Sequence, residues 1–277
     1  MPTNDVLLEV KDLVKHFPVA KHRNQQEKAV VKAVDSVSFN VHKGEILGIV
    51  GESGSGKSTV AKLVMQLLEP DEGQILFHGN DIFKESRKER IETKKQVQMV
   101  FQDPYSSLNP RMTAKEIVTE ALIIHKKIAK KEVDNKALEL LEEVGLGKQH
   151  LNRYPHQFSG GQRQRLSIAR ALSLKPDLIV CDEAVSALDV SIQAQILDLL
   201  KQLQKTYGIA FIFIAHGLPA VKQISDRIAI MYKGKIVEMA SSDEIFDAPK
   251  HTYTKKLIDA IPPSHPKYRK DRMVRED

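Results

Sequence analysis

The 277-residue chain is 42% hydrophobic and 28% charged and carries a formal net charge of +6, which fits a globular protein of one large domain or a core with appendages. Its single cysteine, Cys181, excludes an internal disulfide and any cysteine-rich metal or iron–sulfur centre, and suits a reducing compartment. The basic excess is spread through mixed-charge stretches without interleaved aromatics, which favours solvated faces over a nucleic-acid site.

The opening MPTNDVLLEV lacks the apolar core of a signal peptide. Strands are predicted over 6–10 and over 36–41, where Val37, Phe39 and Val41 alternate, with the polar AKHRNQQEKA (20–29) as an exposed loop between them. A short apolar strand, 46–50, ends at Gly51. After Thr59 the residues Val60, Leu63, Val64, Leu67 and Leu68 recur at helical spacing until Glu69-Pro70-Asp71 stops the helix. The run KESRKERIETKK (84–95) reads as a solvated face. From about Thr113 to Leu172 the chain is predicted mostly helical, with Ala137, Leu141 and Val144 on one face of a helix ended by Gly145.

A buried strand follows over 178–181, then an amphipathic helix carrying Ile192, Ile196, Leu199, Leu200 and Leu203. The longest apolar run, IAFIFIA at 209–215, reads as a third buried strand and is far short of the roughly 20 residues of a membrane span. Stretches 227–231 and 235–239 flank Lys233-Gly234 as a hairpin, and 242–277 combine a short helix with a Pro-rich tail. Buried strands alternating with helices predict an α/β fold with a parallel sheet and an inserted helical subdomain.

GESGSGKST (51–59) matches G-x-x-x-x-G-K-[ST] between a strand and a helix, the context a phosphate-binding P-loop needs. Gly51, Gly54 and Gly56 let the backbone wrap close to phosphate oxygens, so that N–H groups, those of Ser53 and Ser55 among them, and the positive helix end face the charge. Lys57 is expected to neutralise the β- and γ-phosphates, Ser58 to offer its hydroxyl to Mg²⁺, and Thr59, next in the chain, to join them in binding the nucleotide. LIVCDE (178–183) ends a buried strand in two carboxylates. Asp182 is placed to reach Mg²⁺ and Glu183 to polarise a water as general base. Together the motifs imply nucleotide hydrolysis.

Beside them stand FQDP (101–104), SGGQ (159–162), SALD (186–189) and IAH (214–216). Their order and spacing over roughly residues 7–239 resemble the ATP-binding subunit of ABC transporters, and SGGQ is more specific than a P-loop. The resemblance implies a P-loop NTPase domain of ABC type over 1–241, with an N-terminal antiparallel β part and a helical subdomain at about 105–172, and a short C-terminal extension over 242–277. It implies that Gln102 senses Mg²⁺ and the attacking water, that His216 contacts the γ-phosphate, and that Asp189 lies in a loop facing a second subunit. Ser159, Gly160, Gly161 and Gln162 would meet the γ-phosphate held by that second subunit's P-loop. Phe17, 34 residues before Gly51, matches the adenine-stacking aromatic, with a plain core position as the other reading.

The stretches 97–113, 150–165 and 244–262 resemble the oligopeptide, dipeptide and nickel importer ATPases. That subgroup implies ATP and Mg²⁺ as cofactors, a second ATPase (a different one favoured over a second copy), two membrane permeases, an extracytoplasmic binding protein acting indirectly, and a place at the cytoplasmic face of the membrane. Peptide is the default cargo and a nickel chelate the alternative. With no cysteine in the extension, no iron–sulfur cluster is expected there. A non-transport ABC ATPase acting on nucleic acid is the rival from another class, and a half-exporter a third reading. Two positions depart from the family: Ala184 where Pro is usual and Gly217 where Asp is usual. Neither removes a phosphate-contacting side chain, and each leaves room for a looser loop and a slower rate.

Overall fold

The computed structural model describes residues 5–18, 30–186 and 188–261. The loop expected at 20–29, Ala187 and the tail from 262 onward lie outside them. The strands are β1 (Val6–Pro18), β2 (Val30–His42), β3 (Ile46–Val50), β4 (Glu72–Phe77), β5 (Asn80–Asp81), β6 (Val97–Val100), β7 (Leu178–Asp182), β8 (Ala210–Ala215), β9 (Arg227–Tyr232) and β10 (Lys235–Ser241). The helices are α1 (Lys57–Val64), α2 (Arg87–Gln96), α3 (Pro104–Ser107), α4 (Ala114–Ile124), α5 (Val133–Glu143), α6 (Gly160–Leu172), α7 (Val190–Tyr207), α8 (Leu218–Ile224), α9 (Ser242–Asp247) and α10 (Thr252–Asp259).

The central sheet runs β10-β9-β3-β8-β7-β6, parallel except for the edge strand β10, which pairs antiparallel with β9. Its inner strands are apolar apart from Arg227 and Asp182 at the ends of β9 and β7, because both faces are covered. In β3, Ile46 and Val50 face one apolar core, shared with α4 to α8, while Leu47 and Ile49 face a second core, shared with α1 and the other sheet. That other sheet, β2-β1-β4-β5, is antiparallel. The parallel sheet, the antiparallel part and the helical block α4–α6 match the expected α/β architecture. The C-terminal ends of β3, β6, β7 and β8 open on one side, where ligands of open α/β sheets bind.

Some elements differ from the sequence reading. β1 and β2 are each 13 residues long, far beyond 6–10 and 36–41, because they pair along their whole length through several register shifts. The charged run 84–95 forms most of α2, started by a capping box between Ser86 and Glu89. α1 ends at Val64, short of the expected stop: Gln66 takes φ +53° and its amide donates to Ile82 O. Among the described residues two short helices, not one, follow β10. Among the described residues no helix is long and apolar enough to cross a membrane.

Candidate functional site

β3 delivers the chain at Gly51 into a loop that closes on α1. Gly54 and Gly56 take φ +78° and +108°, in the left-handed region that glycine occupies without strain. A Cβ on Gly56 would lie 2.0 Å from Ala33 O, so the loop also needs glycine for close packing on β2, whereas a Cβ on Gly54 would meet nothing within 4 Å. No side chain caps α1, which leaves its first-turn N–H groups for a ligand. Lys57 is 3% exposed, and its ammonium donates to Gly51 O at 2.7 Å and Glu52 O at 2.9 Å. Burial pushes its pKa down against the charges of Glu183 and Asp182, so a phosphate would restore what desolvation takes away.

β7 ends at Asp182, whose Oδ1 accepts from the Ser58 hydroxyl at 3.1 Å. Burial pushes the Asp182 carboxyl up, the Ser58 bond opposes it, and the Glu183 charge adds to the rise. A half-buried carboxylate held above its ordinary pKa beside a serine hydroxyl is an oxygen pair suited to a hard cation. Glu183 is 6% exposed and sits at φ +52°, a strained conformation for a non-glycine residue. It is held there by Glu183 N donating to Ile214 O at 2.9 Å and by Ser186, whose N–H and hydroxyl both donate to Glu183 O. Buried Ala184 lies within this turn, which closes without a proline.

The Glu183 carboxylate is bracketed. Gln102, just past β6, donates from Nε2 to Oε2 at 2.6 Å, and Nε2 of His216, just past β8, lies 2.5 Å from Oε1. Gly217 then opens α8 without a side-chain cap, so the aspartate usual at this position would have had a helix start to cap. A cavity of about 450 Å³ brings these groups together: Ser53, Gly54, Gly56, Lys57, Ser58 and Thr59 from the loop, Gln102, Glu183 and His216 from the sheet end, and Phe17, Val31 and Ala33 from β1 and β2. Phe17 is 36% exposed on this rim, opposite Val31, not in the core. Val31 and Ala33 carried no signal in the sequence, being apolar strand residues like many others. A second cavity of about 580 Å³ shares Glu183 and His216 and continues along Val190, Gln193 and Ala194 of α7.

Residues 159–162 are not part of this lining. Ser159 caps α6: its hydroxyl accepts from Gln162 N at 3.3 Å, and its N–H donates to Gln162 Oε1 at 3.0 Å. Gly160 and Gly161 form the first turn, where a Cβ on Gly161 would lie 2.5 Å from Cγ2 of Ile192. Asp189 is exposed at the start of α7 and makes no capping bond.

A family model described as ABC transporter matches residues 34–186, and one described as oligopeptide/dipeptide transporter, C-terminal region, matches 237–277. The oligopeptide transport ATP-binding protein OppF of Bacillus subtilis (strain 168) is 52% identical over 269 residues, covering 96% of this chain and 86% of that protein. OppF of Streptococcus mutans serotype c is 48% identical over 268 residues, with 96% and 85% covered. Among solved structures, the dimeric ATP-binding cassette MJ0796 in a post-hydrolysis state with ADP and Pi is 28% identical at a TM-score of 0.74, covering 85% of this chain and 98% of that one. CbiO1 of Clostridium perfringens, part of the transporter complex cbiONQ, is 26% identical at 0.75, covering 88% and 92%. The chain belongs to the ABC transporter ATP-binding family.

Proposed function

We propose that this chain is the ATP-hydrolysing subunit of an ABC importer for peptides, with Glu183 as the general base. The observation that carries the reading is the Glu183 carboxylate, bracketed by Gln102 and His216 at the mouth of a cavity floored by the P-loop. Phe17 stacks on the adenine at the rim. The N–H groups of residues 53–59 and the Lys57 ammonium hold the phosphates. Mg²⁺, when bound, neutralises charge on the phosphate oxygens, and Ser58, Asp182 and the Gln102 amide oxygen are the groups that would hold it. Glu183 takes the proton of the attacking water, and His216 fixes the γ-phosphate end.

Each Glu183 oxygen has one partner in the lone chain, which leaves a further lone pair on each to accept from the attacking water. Ser159–Gln162, outside the cavity, are then the contribution of a second ATPase subunit to each site, with Asp189 at the contact between the two. Closure and reopening of the pair drive two membrane permeases from the cytoplasmic face, and an extracytoplasmic binding protein supplies cargo. Peptide is favoured over a nickel chelate by the family model over 237–277 and by the named activity of the relatives. The domain division falls at 241/242, although Ile245 and Tyr253 beyond it share the apolar core of the ATPase.

Glu183→Gln tests the assignment. It keeps the size of the side chain and one acceptor oxygen but loses the base, so turnover should fall by about two orders of magnitude or more while ATP binding persists. Normal steady-state hydrolysis in that variant would remove Glu183 from the role.

A further inference from the structure

The Tyr253 side chain ties the extension to the P-loop. Glu238 of β10 receives the N–H groups of Lys250 and His251 at 2.8 and 2.9 Å, and His251 Nδ1 accepts from Tyr253 N at 3.1 Å. These bonds fix the start of α10 and send the Tyr253 ring into the core, 8% exposed, with its centroid 4.2 Å from that of Tyr232 at the end of β9. The Tyr253 hydroxyl then accepts from the backbone N–H of Glu52 at 3.1 Å.

That N–H belongs to the peptide unit joining Gly51 and Glu52. The carbonyl of the same unit, Gly51 O, accepts from Lys57 Nζ at 2.7 Å. One peptide plane is therefore held from both sides, by a tyrosine hydroxyl on its N–H and an ammonium on its C=O. Accepting from the N–H polarises the unit and strengthens its carbonyl as an acceptor. Burial raises the pKa of Tyr253 while the Glu52 N–H bond opposes the rise, and the phenol oxygen accepts that bond through its lone pairs. Gly51 adds to the constraint, since a Cβ there would lie 2.1 Å from Met231 O, and Gly234 N donates to Ser55 O at 2.9 Å. The loop is fixed on this side by the β9–β10 hairpin and α10 together.

We infer that Tyr253 is a positioning residue for nucleotide binding: it orients the Gly51–Glu52 peptide, and through it Lys57, so that the C-terminal extension sets the affinity of the P-loop for phosphate. The inference rests on the nucleotide reading of that loop. It assigns the extension a role inside the ATPase as well as whatever role it has outside.

Tyr253→Phe keeps the ring and removes only the hydroxyl. Loss of one neutral hydrogen bond predicts that the full chain binds a fluorescent ATP analogue about threefold to tenfold more weakly. Inorganic triphosphate, which lacks adenine, should lose affinity as a competitor by the same factor. In the assembled transporter KM for ATP should rise by that factor with kcat unchanged, because the Lys57 contact is made in ground and transition states alike. Thermal unfolding without nucleotide reports a purely structural role separately. Unchanged affinities for both ligands, or a loss for the ATP analogue with triphosphate unaffected, would overturn the inference. So would an unfolding temperature lowered with the affinities intact. A wild-type chain that bound no ATP analogue would overturn the nucleotide reading, and this inference with it.

Discussion

At the start of α1 no side chain caps the helix, Lys57 folds back onto the loop carbonyls, and two carboxylates stand opposite. At the start of α6, also led by glycines, Ser159 and Gln162 cap each other's backbone N–H, and the turn lies outside the cavity. The glycines differ in kind as well. Gly56 is required by a φ of +108° and by contact with β2, whereas Gly161 is required by the approach of Ile192 on α7. An uncapped helix end keeps its donors for a ligand, and a self-capped end has already spent one. The first end has a lysine and a cavity to complete a phosphate site. The second lies outside that cavity, in keeping with the proposal that it contributes to a site held by a second subunit.

The sharpest break of this contrast is Ser159→Arg. If the second end serves a partner's site, the isolated chain binds ATP as the wild type does, and the assembled pair loses hydrolysis by about 10²–10³-fold, the range set by removing a transition-state donor. Equal loss of ATP binding by the isolated chain would place both ends in one site and erase the distinction. Gly56→Ala acts on the first end alone. The left-handed φ and the 2.0 Å approach to Ala33 O predict nucleotide affinity about 10–100-fold weaker, read by titration with a fluorescent ATP analogue. A variant that bound normally would mean the loop reshapes without cost.

The contrast was half legible in the sequence. The P-loop announces itself because phosphate wrapping demands glycines and a lysine at fixed spacing, and β3, β7 and β8 announce themselves as short apolar runs that only a doubly covered sheet buries. SGGQ is legible as a motif, and its self-capping is written there too, since S-x-x-Q is a capping-box pattern. α2 was hidden because its interleaved acids and bases leave it no apolar face, even though Ser86 and Glu89 carried the same kind of signal. The bracket around Glu183 and the tie from Tyr253 to Glu52 join residues 81 and 201 positions apart, and such pairings exist only once the sheet order is known. The full lengths of β1 and β2 were hidden for the same reason: irregular pairing between them, not alternation within either, extends them.

Two substitutions in the first turn of α6 separate packing from ligand contact. A Cβ on Gly160 would meet Leu188 at an ordinary 3.6 Å, and on Gly161 it would meet Ile192 at 2.5 Å. Gly160→Ala should therefore leave thermal stability unchanged or slightly raised, and Gly161→Ala should cost about 1–3 kcal/mol through overpacking. Adding Ile192→Ala should return part of that loss. If it returned none, contact with α7 would not be what requires the glycine.

The smallest expected effect concerns the carboxylate at the first end. Because Asp182 has a raised pKa in the folded chain, the folded state holds its proton more tightly than the unfolded state does. Without nucleotide or Mg²⁺, its contribution to stability is thus largest in acid and falls as pH rises from about 4, where an unfolded aspartate titrates, up through the folded value. Asp182→Asn removes that falling limb, so the ligand-free variant should unfold at the wild-type temperature or slightly above it at neutral pH. With Mg²⁺ and ATP present the order should reverse, since only the wild type gains the stabilisation that comes from binding the cation. Thermal unfolding between pH 4 and 7, with and without ligand, reads both halves. A ligand-free variant less stable than wild type at neutral pH would show that the Ser58 bond outweighs burial, and that this carboxylate supports the fold before it meets any cation.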